Sequence, residues 1–327
     1  MTGPRKSAIV ARSLTRSFPG VRAVDGLSFD VSPGEIFGLV GPDGAGKTTT
    51  LRMLAGILPP HSGTASVAGC DVVREPERAK RFLSYMPQRF GLYEDLTVDE
   101  NIRFYADLFG VRKKDREPRS AQLLQAAGMI DFRSRMAGKL SGGMKQKLGL
   151  VCALIHRPQV ILLDEPTTGV DPVSRRDFWR ILYELIAEGV AILTSTAYLD
   201  EAERCHRVAL MHQGRLLFSD TPSNLKSRLG KDVLAITSVD PRGLRDALEG
   251  SSGVSSLVLT GDGVHVVVDE AARRISEFDS RLRQANIHFG SIQQVVPSIE
   301  DLFIDAVAGG APSAARSSQH HAQSGLP

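Results

Sequence analysis

Residues 41–48, GPDGAGKT, fit a glycine-rich phosphate-binding pattern, G-x-x-x-x-G-K-[ST], at every fixed position. Glycine lets a backbone wrap closely around phosphate oxygens, because no Cβ blocks the approach. Lys47 is placed to reach the β- and γ-phosphates of a nucleoside triphosphate, and the Thr48 hydroxyl is placed to ligate Mg²⁺. The residues predicted to surround the nucleotide phosphates are Gly41, Pro42, Asp43, Gly44, Ala45, Gly46, Lys47, Thr48 and Thr49.

The segments on either side of this loop predict the elements that position it. Residues 35–40, EIFGLV, form a short apolar run typical of a buried strand, and residues 47–58 carry apolar side chains at helical spacing. A helix amino terminus directs free N–H groups at an anion. The alternative is a chance glycine turn before a helix, and the strand on one side with the helix on the other argues against it.

A second motif, VILLDEP at residues 160–166, predicts an apolar strand that ends in two acids. Asp164 is placed to hold Mg²⁺ through its water shell. Glu165 could polarise the attacking water as a general base. The alternative is a strand that ends in an acidic surface turn, which is disfavoured because the same α/β chain carries Lys47 in a phosphate loop.

A third motif, LSGGMKQK at residues 140–147, precedes a stretch with helical spacing. Ser141 is a natural N-cap, and Gly142 and Gly143, followed by Met144, present backbone N–H groups at a positive helix end. This predicts a second anion-binding site. Since one nucleotide needs one cradle for its phosphates, the second cradle is predicted to serve a nucleotide bound by another subunit.

In this order the phosphate loop, LSGGMKQ, VILLDEP and GVDP resemble the nucleotide-binding subunit of an ABC transporter over residues 7–228. The resemblance implies that the protein binds ATP and that Thr48, Gln88 and Asp164 hold Mg²⁺. It also implies a catalytic set, which comprises Glu165, Gln88 and Lys47.

The same resemblance assigns roles to two further residues. Phe18 is similar to the aromatic residue that stacks on adenine, the alternative being an ordinary strand aromatic. Asp171, within GVDP, is similar to the D-loop residue that crosses the dimer interface.

Three further stretches resemble the ATPases of ABC-2-type exporters, which move drugs, glycans or other hydrophobic molecules. PSIEDLFI (297–304) ends an appended domain, and residues 88–106 resemble the surface that receives the permease. STAYLDEAERC (195–205) resembles the first half of tandem-ATPase multidrug exporters. The implied function is ATP hydrolysis that powers a separate integral-membrane ABC-2-type permease.

The chain departs from the family pattern at the switch histidine, because LTSTAYLDEAE (193–203) places Ala197 there. An alanine methyl cannot bond a γ-phosphate, and losing one such contact slows catalysis by roughly 10²–10³-fold. His206 is predicted to lie too far away to substitute. Two hypotheses stay open. Either this subunit pairs with a different ATPase, or two identical copies pair and the enzyme either hydrolyses slowly or uses another group in place of the histidine.

The fold class predicted is an α/β P-loop NTPase of the ABC type, with a mostly parallel core sheet, an antiparallel β subdomain and a helical subdomain. This domain covers residues 1–230, with a helical subdomain at about 90–155. The charged run at 112–119 is predicted to be a solvated loop, the alternative being a segment that contacts anionic lipid or the permease. Residues 231–306 show a βαββαβ order typical of a ferredoxin-like domain. Residues 307–327 are small and polar, which predicts a disordered tail.

Composition limits the remaining function classes. The 40 basic and 37 acidic residues give a net charge of +3, too small to indicate nucleic-acid binding. The three separated cysteines form no CxxC pair and are interpreted as buried or inert thiols in a reducing compartment, not as a disulfide frame or a zinc site. His265, on an alternating strand, is interpreted as a packed or edge residue and not as a metal ligand. The chain has neither a long apolar run nor a signal-peptide core, so a cytoplasmic protein is expected, held at the inner face of the plasma membrane by its permease.

Two alternative functions remain. A catalytically weak nucleotide-binding regulatory subunit is favoured by Ala197 and opposed by Glu165. A non-transport ABC protein acting on DNA or ribosomes is disfavoured, because the sequence has no sustained heptads and no strong basic face.

Overall fold

The computed structural model describes residues 7–89 and 91–309, which form two compact units. The first unit holds the residues up to Glu201 together with Cys205–Arg215, and the second holds Ala202–Arg204 and the residues from Leu216 onward. The predicted disordered tail at 307–327 falls mostly outside the described residues. Its first two residues end a helix, so the tail boundary was placed too early there.

The elements have the following bounds. The strands are β1 (Ile9–Phe18), β2 (Val21–Val31), β3 (Ile36–Val40), β4 (Ser62–Val67), β5 (Cys70–Asp71), β6 (Leu83–Met86), β7 (Val160–Asp164), β8 (Ala191–Thr196), β9 (Arg207–His212), β10 (Arg215–Asp220), β11 (Asp232–Thr237), β12 (Val254–Leu259), β13 (Gly263–Val268) and β14 (Ile292–Val295). The helices are α1 (Lys47–Leu54), α2 (Pro76–Lys80), α3 (Val98–Leu108), α4 (Lys113–Ala126), α5 (Gly142–Leu154), α6 (Pro172–Ala187), α7 (Leu199–Ala202), α8 (Pro222–Ser227), α9 (Pro241–Leu248), α10 (Ala271–Gln284) and α11 (Ile299–Ala308). Single-turn 3₁₀ helices cover Ile130–Phe132 and Ala137–Lys139.

A parallel sheet with the order β9-β3-β8-β7-β6 organises the first unit. Every residue of β3 and β7 is buried, as expected of strands covered by helices on both faces. Because the strands are parallel, their carboxyl ends share one edge. That edge carries the phosphate loop after β3, the Asp164–Glu165 pair after β7, Gln88 after β6 and Ala197 after β8.

An antiparallel sheet with the order β2-β1-β4-β5 forms the predicted β subdomain. Its β1–β2 hairpin pairs Phe18 with Val21 across Pro19 and Gly20. Further along β2, the Ala23 backbone packs directly against the phosphate loop. Phe18, at the tip of this hairpin, therefore precedes by five residues Ala23, which contacts the phosphate loop.

The helical subdomain lies between β6 and β7 and contains α3, α4 and α5. The solvated loop predicted for residues 112–119 was wrong, because α4 spans Lys113–Ala126 and includes Pro118. Lysine, arginine and glutamate are strong helix formers, and Asp115 in the first turn complements the helix dipole. These contributions, with the buried Leu124, offset the backbone hydrogen bond that Pro118 cannot donate.

The second unit contains a four-stranded antiparallel sheet with the order β12-β13-β11-β14, the order of a ferredoxin-like fold. Helices α9 and α10 bury residues such as Leu244 and Phe278 against it. His265 lies on the central strand β13 and hydrogen-bonds the fully buried Asp301 of α11 at 3.1 Å. Since α8 packs on α11, this unit begins before the boundary predicted at residue 231.

Candidate functional site

Three glycines shape the phosphate loop, two through close backbone contacts and one through its conformation. A Cβ on Gly41 would lie 2.2 Å from the Met211 carbonyl oxygen, and one on Gly46 would lie 2.2 Å from the Ala23 carbonyl oxygen. Gly46 also has a φ of 101°, which a side chain disfavours. Gly44 has a φ of 77° with nothing near its Cβ position, so its outer side is open to a ligand.

Lys47 is 3% exposed and is held by the loop that it follows. Its Nζ donates to the carbonyl oxygens of Gly41, at 2.7 Å, and Pro42, at 3.1 Å. It also forms an ion pair with Glu165 Oε1 at 3.2 Å. The ammonium group therefore lies between the phosphate loop and the acid that ends β7.

Asp164 is buried and accepts hydrogen bonds from three hydroxyl groups. Thr48 Oγ1 and Ser195 Oγ donate to its Oδ1 at 2.9 and 2.8 Å, and the Tyr85 hydroxyl donates to Oδ2 at 3.2 Å. Burial raises the pKa of Tyr85 to about 12, and the Asp164 charge acts in the same direction, so the phenol keeps its proton at neutral pH. Tyr85 and Ser195 were not predicted as site residues.

Glu165 follows in a left-handed backbone conformation, with a φ of 49°. Its backbone N–H donates to both the carbonyl oxygen and the hydroxyl of Ser195. Its Oε2 accepts from Gln88 Nε2 at 3.1 Å, while Oε1 faces Lys47. A non-glycine residue in this region costs free energy, and such residues cluster at functional sites.

The other predicted nucleotide-binding residues differ in their exposure. Pro42 and Asp43 are exposed, Ala45 is buried, and Thr49 is half-buried in the first turn of α1. Phe18 is 42% exposed, with the Arg16 guanidinium 5.2 Å from its ring centroid. Its ring is available to a planar ligand, which distinguishes it from a buried strand aromatic.

The signature segment lies at the amino terminus of α5, next to that of α6. Ser141 caps α5 by accepting from the Met144 N–H at 3.3 Å, and Gly142 is exposed. Gly143 is buried, and a Cβ there would lie 2.4 Å from Ser174 Oγ.

Asp171 caps α6 by accepting from the backbone N–H groups of Val173 and Ser174. Within the described chain, none of the hydrogen bonds or ion pairs of Lys47 and Glu165 reaches the signature segment. The second anion-binding segment predicted from the sequence is therefore separate from the site around Lys47 and Glu165.

Ala197 is exposed and directly follows the end of β8. The preceding residue, Thr196, accepts the Gly41 N–H at its carbonyl oxygen at 3.3 Å and the Tyr198 N–H at its hydroxyl at 2.9 Å. The Arg175 guanidinium lies 4.9 Å from the Tyr198 ring centroid. Glu201, which is buried, accepts a hydrogen bond from Thr167.

His206 lies at the opposite edge of the parallel sheet. Its Nδ1 accepts from the backbone N–H of Ile36, the first residue of β3, whereas the phosphate loop follows the last residue of that strand. It is therefore in no position to replace the missing histidine.

The residues present fit a nucleotide bound with Mg²⁺. Thr48 and Asp164 place a hydroxyl and a carboxylate oxygen 2.9 Å apart, and Mg²⁺ prefers such oxygen ligands from one or two carboxylates and substrate phosphates. Lys47 supplies the neighbouring positive charge. The arrangement can hold an anion on one side and a proton acceptor, Glu165, on the other.

The comparison with known proteins agrees with this geometry. A family model described as ABC transporter matches residues 24–168. The Nod factor export ATP-binding protein I of Paraburkholderia xenovorans is 42% identical over 245 residues, which cover 74% of this chain and 81% of that protein. The chain belongs to the ABC transporter family.

A second curated relative and a solved structure agree with this family. The probable multidrug ABC transporter ATP-binding protein YbhF of Escherichia coli is 44% identical over 313 residues. The match covers 94% of this chain and 53% of YbhF, so the chain spans about half the length of that relative. A solved structure described as an ATP binding subunit of an ABC transporter superposes with a TM-score of 0.63 and 31% identity, over 68% of this chain and 94% of its own.

The family resemblance drawn from the motifs and the predicted fold class are therefore confirmed. None of the helices among the described residues has the length and apolar character needed to cross a bilayer. The roles assigned to individual site residues remain predictions.

Proposed function

We propose that the protein binds and hydrolyses ATP with Mg²⁺ and so powers a separate ABC-2-type integral-membrane permease. The observation that carries this proposal is the direct contact of Lys47 with Glu165 and of Thr48 with Asp164 at one edge of the parallel sheet. The names of two relatives, a probable multidrug ABC transporter protein and a Nod factor export protein, support export of a drug-like or other hydrophobic molecule.

Nucleotide binding begins at the phosphate loop. Lys47 exchanges its contacts with the loop carbonyl oxygens and Glu165 for phosphate oxygens, and the open side of Gly44 admits the phosphate backbone. Thr48 and Asp164 would hold Mg²⁺, which would supply positive charge to neutralise the β- and γ-phosphates. Tyr85 and Ser195 keep the Asp164 carboxylate in one orientation through their hydrogen bonds.

Glu165 and Gln88 act on the attacking water. When Lys47 moves to phosphate, Glu165 Oε1 is released and can accept a proton from the water. The Gln88 amide, 3.1 Å from Oε2, fixes the carboxylate and orients the water. The chain thereby supplies both a proton acceptor and an amide that orients the water beside the phosphate loop.

The nucleotide site is completed by a second ATP-binding subunit, which is either an identical or a different chain. The exposed Ser141 and Gly142 at the start of α5 support this step, because N–H groups at a helix amino terminus bind anions. Asp171, at the neighbouring start of α6, lies on the same side. In the closed dimer these residues would contact the partner's nucleotide.

The permease is proposed to dock on the helical subdomain. Large apolar side chains are exposed there, with Tyr93 and Phe104 in edge-to-face contact at 4.6 Å and Leu108 64% exposed. Met136, preceding the signature segment, is 43% exposed. Docking on this surface would hold the protein at the inner face of the plasma membrane and leave it otherwise cytoplasmic.

The test is ATP hydrolysis by the purified chain, alone and with its permease. Glu165→Gln should abolish turnover while ATP still binds, because the amide cannot accept a proton. Glu184→Gln, an exposed change on α6 with the same charge difference, is the matched control. Equal turnover by the two variants would exclude Glu165 as the base.

Stacking of adenine on Phe18 is tested separately. Phe18→Ala should weaken ATP binding about tenfold, since an aromatic–base stack contributes roughly 1–3 kcal/mol. Val21→Ala, across the same hairpin, is the control. If both variants lose ATP affinity equally, the loss comes from a disturbed hairpin, and stacking of adenine on Phe18 is excluded.

A second candidate function, a nucleotide-binding regulatory subunit with little turnover, is favoured by Ala197. The retained Glu165 and its contact with Lys47 favour hydrolysis. Identification of the nucleotide trapped on the chain separates the two: bound ADP after incubation indicates turnover, whereas persistent ATP indicates regulation.

A further inference from the structure

A cavity of about 700 Å³ lies at the edge of the parallel sheet opposite the nucleotide site. Its wall includes Pro33, Gln159 and Val190, which come just before β3, β7 and β8. The phosphate loop and Asp164 come at the other ends of β3 and β7. The volume is in the range of small-molecule sites, roughly 300–1,000 Å³.

Arg119, on α4, lines this cavity and is only 7% exposed. Its Nη1 donates to the Gln122 side chain at 3.0 Å, and its Nε is buried without a hydrogen-bond partner. Burial lowers the pKa of Arg119. The nearby charge of Glu188 raises this pKa, and that of Arg157 lowers it further. A guanidinium that is buried without a carboxylate contact carries a large desolvation cost.

A second guanidinium, from Arg157, lines the same cavity. Arg157 follows α5 with a left-handed φ of 56° and is exposed. Among residues 7–89 and 91–309, neither Arg119 nor Arg157 forms an ion pair with a carboxylate. The wall carries the carboxylate of Glu188, so two cationic groups face one anionic group.

The rest of the wall is mixed. Leu154, Leu185 and Pro33 contribute apolar surface, and the amides of Gln122 and Gln159 contribute hydrogen-bonding groups. Polar groups contribute somewhat more of the lining surface than apolar groups, so the wall offers both kinds of contact. An apolar molecule with one anionic group would match both parts of this wall.

We propose that this cavity binds a small organic anion, which has an apolar body and a carboxylate, sulfonate or phosphate group held by Arg119 and Arg157. The anion compensates the buried charge that the protein leaves without a carboxylate partner. The site is separate from the nucleotide site, because the two lie at opposite edges of the parallel sheet. Its occupancy does not depend on ATP hydrolysis.

The test compares two fluorescent probes that differ in charge. Anilinonaphthalene sulfonate carries the anionic group, and N-phenylnaphthylamine is a neutral counterpart. Binding to the full chain is measured without and with saturating Mg-ADP, so that a probe in the nucleotide site is identified by its displacement. The variants are Arg119→Met and Arg157→Gln, with Lys114→Gln, exposed on α4, as the control of equal charge change.

We expect each arginine variant to weaken sulfonate binding about tenfold or more, because each removes a charge-assisted contact. Lys114→Gln and the neutral probe should show less than a twofold change. Arg119→Met should also keep the melting temperature of the probe-free protein, since no carboxylate loses a partner. Sulfonate binding that is displaced by Mg-ADP, or that is equal in Arg157→Gln and Lys114→Gln, overturns the proposal.

Discussion

Replacing Ala197 with histidine should accelerate ATP hydrolysis at the site that contains Lys47 and Glu165. The residue before it, Thr196, already accepts a hydrogen bond from Gly41 of the phosphate loop at 3.3 Å. Ala197 is exposed, so an imidazole can be added without displacing a core side chain. One positioned donor to the charge that develops on the γ-phosphate is worth about 3 kcal/mol, which corresponds to roughly a 10²-fold rise in kcat.

The assay is steady-state phosphate release at saturating Mg-ATP, with ATP affinity measured in parallel. Ala197→Gln adds a side chain of similar size, and it should give a much smaller gain because its amide lacks the imidazole geometry. In the Glu165→Gln background, Ala197→His should give no gain, because the proton acceptor is absent. A kcat for Ala197→His within twofold of the parent, with ATP binding intact, would refute the argument that the missing histidine limits turnover.

Two further predictions concern the stability of each unit. Gly46→Ala should lower the free energy of unfolding by about 3 kcal/mol, because the new Cβ would lie 2.2 Å from the Ala23 carbonyl oxygen and the left-handed φ is unfavourable for alanine. Gly44→Ala, with an open Cβ position, should cost about 1 kcal/mol in urea unfolding, and equal costs would contradict the packing argument. The hydrogen bond to Asp301 raises the pKa of His265 above its ordinary value of 6.5, so its stabilisation is complete below pH 6.5 and is lost as the pH rises through the raised pKa. Melting temperatures across this window should fall for the parent and stay flat for His265→Asn, and parallel curves would exclude the pair as the cause.

The loop and strand predictions succeeded because they rest on local patterns. Residues 160–164 are continuously apolar up to Asp164, and β7 has these bounds with every residue buried. The glycine positions of the phosphate loop reflect backbone conformations and close approaches that side chains would block. Residue types a few positions apart in the sequence are enough to predict such features.

The helix α4 shows where local patterns failed. The charged run at 112–119 with Pro118 was interpreted as a loop, yet the chain continues as a helix through Ala126. Tertiary packing of Leu124 and the ion pair of Glu117 with Arg133 add stabilisation that composition does not reveal. The free-energy cost of Pro118 is outweighed because other residues of α4 form stabilising contacts with the rest of the protein.

The amino-acid sequence by itself determined the chemical types at the nucleotide site: the lysine and threonine after the glycines, the Asp164–Glu165 pair, and an alanine where a histidine is expected. Only the tertiary structure decided that Tyr85 and Ser195 bond Asp164, because their strands pair with β7 in a register that no local pattern encodes. The physical reason is that a short motif specifies backbone conformation, whereas contacts between distant residues depend on how strands and helices pack. The cavity around Arg119 likewise arises from segments that are distant in the chain.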